Sequence, residues 1–314
     1  QGKTSGEPRK RLLRRQSPEY RPEQSVRKMK PEDRKLNKDT QNSKANKKNK
    51  RTGKKKKSGS KALDLAYKII IVALIGIILV SGYKVATGLW QYHTARQGYK
   101  EVQKTASVDP DQFTGVVDFD ALHKIDPNIK GWLYSKDTII NYPVAKGSDN
   151  DYYLHHDIKG NWTVTGTLFI DVANQDNFGD FNTVIYGHHM KDGSMFGSLR
   201  KYKDQSYYDQ HSQLEYITPE GKYHLQVISF YTTPADSDTY KVAFNSDQEK
   251  QDFLNMTVSK SEIKPKYSAD IKDHLVTLST CAYEYDEARY VAVCKAVPWT
   301  KGEIKTGEAA EKQR

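Results

Sequence analysis

The sequence predicts a mainly β domain, a barrel or sandwich of seven or eight strands, preceded by helices and by one membrane-crossing segment. Three observations lead there. Short runs rich in Val, Ile, Thr and Tyr recur between residues 131 and 297, parted by Gly, Pro, Asn and Asp turns. One uninterrupted apolar run, 69–80, stands near the N-terminal end. Ahead of it, residues 1–61 hold 23 Lys+Arg against 6 Asp+Glu, a net of +17, which leaves −6 for the rest of a chain of formal net charge +11.

The elements follow in order. Residues 1–61 have few large apolar side chains and cannot bury enough surface to offset their ordering entropy, so they read as a disordered basic tail. The chain opens on glutamine, and a start upstream is expected. Because the basic charge belongs to the tail, it does not make the body a nucleic-acid binder, and no nucleic-acid partner is expected. Residues 62–90 read as an uncleaved signal anchor. Their apolar run is short for a span of about 20 residues, but Lys68 and Lys84 can snorkel, and Tyr67, Tyr83 and Trp90 suit the interfaces. A core helix has nothing upstream to pack on, and some sixty residues is far too long for a signal-peptide n-region. The positive-inside rule puts the tail in the cytoplasm and the body outside.

Residues 91–107 are polar and helical in pattern, a stalk or first surface helix, and 118–126 reads as a short helix. The strand candidates are GWLYS (131–135), TIINYPVA (138–145), TVTGTLFID (163–171), NTVIYGHHM (182–190), QLEYIT (213–218), KYHLQVISFYTT (222–233), HLVTLST (274–280) and RYVAVCKAV (289–297). TPEGK (218–222) is a hairpin turn. This spacing implies antiparallel pairing. Residues 246–263 read as a helical insert, with Ser246 as N-cap and Glu249 completing a capping box. Residues 108–300 form the expected folded body, and 301–314 a polar tail. There is no P-loop, no GxGxxG, no internal repeat and no metal-ligand spacing, so neither metal nor cofactor is expected.

The stretch HLVTLSTCAYEYDEARYVAVCK (274–295) reads as a hairpin with Cys281 facing Arg289. In that register Cys294 lies opposite Val276, five residues from Cys281 and about 16 Å along the strand. A disulfide needs Cα atoms within about 7 Å, so Cys281 is expected as a free thiol and Cys294 as strand packing. A cysteine nucleophile needs thiolate character and a proton donor for its leaving group. The body offers His123, His155, His156, His188, His189, His211, His224 and His274. His188 and His189 stand out because they end a strand directly after Gly187, where glycine permits a sharp turn or ligand approach. Arg289 can hold an oxyanion, or instead pair with Glu284, Asp286 or Glu287 in the turn.

These residues resemble the sortases of Gram-positive bacteria. TLSTC ending one strand, an arginine opening the next and YGHHM upstream carry the resemblance. The block TLSTCAYEYDEAR, the helical insert before it, the helical residues ahead of the barrel, NYPVAKGSDNDYYLHHD and GTLFID resemble class B sortases. The resemblance spans residues 108–300 and implies a closed sortase-type barrel and a transpeptidase. Cys281 would attack the threonine carbonyl of a C-terminal sorting signal of Leu-Pro-x-Thr-Gly or Asn-Pro-x-Thr-Asn type. His188 would protonate the leaving amine and deprotonate the incoming amine of a peptidoglycan precursor, lipid II. Arg289 would stabilise the oxyanion, and Asn150, Leu154, Tyr186 and Ser279 would line the signal groove. Surface proteins bearing sorting signals and membrane lipid are the implied partners. The basic tail departs from the family. A pilin-polymerising sortase is the alternative within it. Outside it, a papain-like protease would set its cysteine at a helix N-terminus, and a membrane-tethered binding module would have no need of the Cys, His and Arg combination.

Overall fold

A computed structural model describes residues 58–305 apart from 110–111, 177 and 283–286. Residues 1–57 of the basic tail and most of the polar C-terminal tail lie outside the described residues; the tail's last residues, 58–61, already belong to the first helix and not to a disordered segment. Leu63–Arg314 form one compact unit. The first helix, α1, runs Ser58–Thr105. Then come α2 (Phe119–His123), β1 (Ile129–Tyr134), β2 (Asn141–Ala145), α3 (Tyr152–His155), β3 (Leu168–Ile170) and β4 (Asn182–Tyr186). After a 3-10 helix at Gly197–Lys203 follow α4 (Gln205–Gln210), β5 (Gln213–Ile217) and β6 (Lys222–Pro234). A second 3-10 helix, Asp238–Tyr240, leads to α5 (Asp247–Ser259), β7 (His274–Cys281) and β8 (Ala288–Pro298).

The eight strands match the eight candidate segments one for one and close into a barrel in the order β1-β2-β3-β4-β7-β8-β6-β5. The pairing corrects the antiparallel expectation. β2 with β3 and β4 with β7 are parallel. Strand patterning reports which face a residue takes, not the direction of a partner distant in sequence. β3 is also far shorter than its candidate segment. Gly166 sits at φ +54°, and a Cβ there would lie 2.4 Å from the Tyr153 carbonyl oxygen, so TVTG is held as a loop against α3.

Alternation assigns the faces. Val276, Leu278, Ala292 and Cys294 point into the barrel with Ile185, Leu133, Tyr216 and Phe230. Leu275, Val291 and Val293 point outward, where α5 covers them with Phe253 and Leu254. The Ser246 hydroxyl accepts from the Glu249 amide at 3.2 Å, as the capping box requires, but the Glu249 carboxylate reaches back to the Asn245 amide instead of that of Ser246. The predicted turn closes with the Thr218 amide donating to the Gly221 carbonyl at 2.8 Å.

α1 has two characters. An apolar stretch with exposed Ile, Leu and Val side chains is long enough to cross a membrane. Its last turns lie on the barrel: Val102 and Ala106 join the cluster around Trp132. Arg96 pairs with Asp192 at 2.7 Å, Gln103 donates to the Asn141 carbonyl at 2.9 Å, and Tyr99 donates to the Gly166 carbonyl. Residues 92–106 are thus built into the body's surface. Each large side chain fully buried there adds about 1.5–3 kcal/mol.

Candidate active site

Strand register pairs Cys281 with Arg289 and runs the strand that leads to His188 alongside the one that ends in Cys281. Cys281 is the cross-strand partner of Arg289 on the β7/β8 hairpin. On the other side, β4 runs parallel to β7 with Tyr186 opposite Ser279, and the Gly187 amide donates to the Ser279 carbonyl at 3.1 Å. His188 and Cys281 each lie two residues beyond that last pair. Alternation puts Cys281 on the same face as Ser279, and His188 lies just past the end of β4 beside it in sequence register. Cys281 and Arg289 share parity with Leu275, Val291 and Val293, so this face is the outer one, just past the edge that α5 covers.

The two cysteines differ as expected. Cys281 is a free, partly exposed thiol at the strand end; Cys294 is fully buried opposite Val276. Burial pushes the Cys294 thiol far up, because the thiolate loses its hydration.

His188 is half-buried, and its Nε2 lies 2.7 Å from the Leu154 carbonyl oxygen. That carbonyl can only accept, so Nε2 carries the proton and Nδ1 is the nitrogen free to exchange one. Burial holds the His188 pKa below the usual histidine value; the Leu154 carbonyl opposes this, and a charge on nearby His155 adds to it. Leu154 thus acts here through its backbone. Its side chain packs with Tyr186 against Tyr153 and Phe169. The neighbouring His189 acts on the strand end. Its Nδ1–H donates to the Cys281 carbonyl at 2.6 Å, holding the end of β7 from the other side.

Gly187 corrects the sequence argument. A Cβ there would stand 2.3 Å from Leu168 and 2.8 Å from Phe196, so core packing, and not ligand approach, demands glycine.

The Arg289 guanidinium meets Glu287 at 2.8 Å and donates to the Ala288 carbonyl at 3.0 Å. Glu287 is the turn carboxylate anticipated as its structural partner; Glu284 and Asp286 lie outside the described residues. Glu287 is 76 % exposed, so this pair is held by about 1 kcal/mol or less and is easily exchanged for another acceptor.

The expected groove residues sit around this centre, with two side chains that the sequence did not single out. Tyr186 donates to Asp171 at 2.8 Å, and Asn150 donates to the same carboxylate at 3.3 Å, so Asp171 ties the two together. Ser279 is buried. Its hydroxyl meets Tyr240 at 2.9 Å, and it is Tyr240 that stands over it, with its ring 5.9 Å from that of Tyr186. Burial pushes Tyr240 up to about 12, with the Ser279 hydrogen bond and the Arg289 charge opposing, and pushes Tyr186 up further. Both phenols stay neutral donors across the working range. Among the described residues no group of His, Cys, Asp and Glu could hold a metal ion.

Comparison with known proteins agrees with this geometry. A family model described as the Sortase domain matches residues 136–297. The sortase B of Staphylococcus aureus is 34% identical over 233 residues, 73% of this chain and 96% of that protein. The sortase B of Listeria monocytogenes is 33% identical over 239 residues, again 73% and 96%. The structure of the S. aureus sortase B–substrate complex superposes with a TM-score of 0.61 at 33% identity, covering 67% of this chain and all of that one. The chain therefore belongs to the sortase family of cysteine transpeptidases that anchor proteins to the cell wall, and its relatives there are class B sortases.

Proposed function

We propose that this chain cleaves a C-terminal sorting signal after threonine and joins the acyl group to an amine of a peptidoglycan precursor, with Cys281, His188 and Arg289 as the catalytic residues. The observation that supports this is the strand register: Cys281 pairs with Arg289 across the hairpin, and His188 follows by two residues the strand that runs beside β7. The Cys281 thiolate attacks the threonine carbonyl, and the charge developing on its oxygen is met by the Arg289 guanidinium released from Glu287. The scissile C–N bond breaks as protonated His188 gives its proton to the leaving amine, and a thioester remains. The acceptor amine then attacks the thioester, His188 takes its proton, and the C–S bond breaks to return the thiolate. The signal lies along Tyr186, Tyr240, Asn150 and the Leu154 segment, with Ser279 acting through Tyr240.

Incubating the full chain with a panel of sorting peptides of Leu-Pro-x-Thr-Gly and Asn-Pro-x-Thr-Asn type and of amines, read by mass spectrometry, tests this. The expected result is a thioacyl adduct on Cys281 that amines convert to ligated peptide. An adduct elsewhere, or none, overturns it. Conversion by a pilin lysine in preference to a peptidoglycan-type amine would favour pilus assembly. The basic tail lies on the cytoplasmic side of a single α1 span and the barrel outside. External protease on intact cells should digest the barrel and spare the tail; loss of the tail overturns that orientation.

A further inference from the structure

A second opening lies beside the strand end that carries the nucleophile, next to His189. It is a cavity of about 600 Å³ between the segment following β4 and the first turns of the Gly197–Lys203 helix. His189, whose ring holds the Cys281 carbonyl, forms one wall, so the cavity begins one side chain from the reacting strand end. Lys191, Arg200 and Lys201 line it. The tail apart, this chain carries a net charge of −6, so three cations around one cavity run against the body's trend. Among the described residues none of the three pairs with a carboxylate; Lys201 lies over the Tyr207 ring at 5.5 Å. The lining also includes Asp192, but Arg96 at 2.7 Å and the Ser194 hydroxyl at 2.6 Å already meet that carboxylate.

One independent observation points to a ligand. Ser198, 3% exposed, lines the same cavity, and its hydroxyl has no hydrogen-bond partner. A buried hydroxyl left unpaired is unfavourable, and an occupant that accepts its proton removes the cost. A proton acceptor that also answers three cations is an oxyanion, a carboxylate or a phosphate.

We infer that this cavity receives the anionic group of the amine acceptor, and so selects the second substrate. The inference rests on the transpeptidase reading of Cys281. In that reaction the sorting signal still occupies the outer face as a thioester when the amine arrives, so the acceptor must reach the thioester from another side. The cavity is of a size ordinary for small-molecule sites, and none of Asn150, Leu154, Tyr186, Tyr240 and Ser279 lines it.

The test is acceptor kinetics of the full chain in detergent micelles, with one sorting peptide and three amines: triglycine amide, triglycine and aminoethyl phosphate. Parent, Lys191→Gln/Arg200→Gln and Ser198→Ala chains are compared. The double variant should raise the acceptor KM roughly five-fold or more for an anionic amine, an effect that fades at high salt. KM for triglycine amide and the hydrolysis of the sorting peptide should stay unchanged. Ser198→Ala should raise the same KM two- to three-fold, about the worth of one hydrogen bond. The anionic amine whose KM moves identifies carboxylate or phosphate as the group bound. An unchanged KM for both anionic amines, or an equal rise for triglycine amide, overturns the proposal. A parent chain that forms no thioacyl species overturns the transpeptidase reading, and this proposal with it.

Discussion

The two ends of the β7/β8 hairpin carry similar chemistry in opposite surroundings. At the turn end stand Cys281 and Arg289, with His188 two residues beyond the last β4 pair. At the other end stand Cys294, opposite Val276, and His274, opposite Ala296. Each end has one cysteine and one histidine. The turn end leaves its thiol partly exposed on the outer face, beside a guanidinium held by an exposed carboxylate and by the adjacent Ala288 carbonyl. The far end drives its thiol into the barrel and seals its imidazole against the Phe178 ring, 4.0 Å between centroids. Residue type therefore does not make a site. Parity along the strand and the loss of cover past α5 decide which thiol can meet a substrate.

The largest effect that could break this contrast is the loss of Cys281. Cys281→Ala should abolish formation of the thioacyl species while the melting temperature stays near the parent's, because the side chain is partly exposed at a strand end and losing one sulfur there leaves little cavity. Residual turnover with the parent's pH profile would move the nucleophile elsewhere on the chain.

Arg289→Lys comes next. A guanidinium gives two parallel hydrogen bonds that an ammonium cannot reproduce. If Arg289 meets the oxyanion, lysine should cost about 10²–10³ in kcat, the usual loss for one oxyanion donor. If its role is the ion pair with Glu287, lysine should serve nearly as well, and breaking that exposed pair should cost about 1 kcal/mol or less. Glu287→Gln sharpens the comparison: kcat/KM within about two-fold of the parent is expected, since the pair is surface-held. A collapse of activity in Glu287→Gln with Arg289→Lys near-parental would give the arginine a structural role instead.

This hairpin was the most legible part of the molecule. Facing Cys281 with Arg289 fixes every other pair by simple counting, and Val276 opposite Cys294 follows. The α5 cap at Ser246 and the turn at 218–222 were legible for a similar reason, since their signals lie within five residues of one another. The parallel pairing of β4 with β7 was not, because some ninety residues separate the partners and no local pattern encodes the meeting. That pairing is what delivers His188. Tyr240 and Asp171 escaped notice because each lies in a loop or a single 3-10 turn, and they matter only through Ser279, Tyr186 and Asn150. Leu154, expected in the signal groove, meets His188 through a carbonyl that any residue would supply, so its side chain gives no sign of that contact.

A smaller effect separates the two histidines by pH. Burial holds the His274 pKa down at about 4, with the Asp180 charge opposing, while the Thr183 hydroxyl sits 3.1 Å from Nε2. An unfolded histidine titrates near 6.5. As pH falls from about 6.5 toward 4, the unfolded chain takes up a proton that folded His274 refuses, so stability is lost across that window and is intact above it. The loss is at most about 3 kcal/mol, and less to the extent that solvent reaches the ring. Urea midpoints at pH 7 and pH 4.5 for the parent and His274→Asn should show the variant losing visibly less. Equal losses would mean that the imidazole charges freely in the fold.

The smallest effect concerns the buried thiol. Cys294→Ala removes one sulfur from a packed barrel interior, beside Val276 on β7 and Val227 on β6. The expected cost is on the order of 1 kcal/mol of stability, since only one sulfur is removed and the cavity is small. Turnover should stay within a few-fold of the parent. Cys294→Ser keeps the size but brings a hydroxyl into the barrel interior, where the nearby Tyr202 and Tyr208 phenols already bond to backbone groups, so it should cost more, about 1–3 kcal/mol. That order, serine worse than alanine, separates a packing cysteine from one that serves through a polar contact. Thiol labelling of the native chain completes the contrast. Cys281 should alkylate in the folded state, and Cys294 only at the rate of global unfolding, because its thiolate has no water to stabilise it. Rapid labelling of Cys294 in the folded chain, or an alanine variant that folds well but does not turn over, would erase the distinction between the two ends of the hairpin.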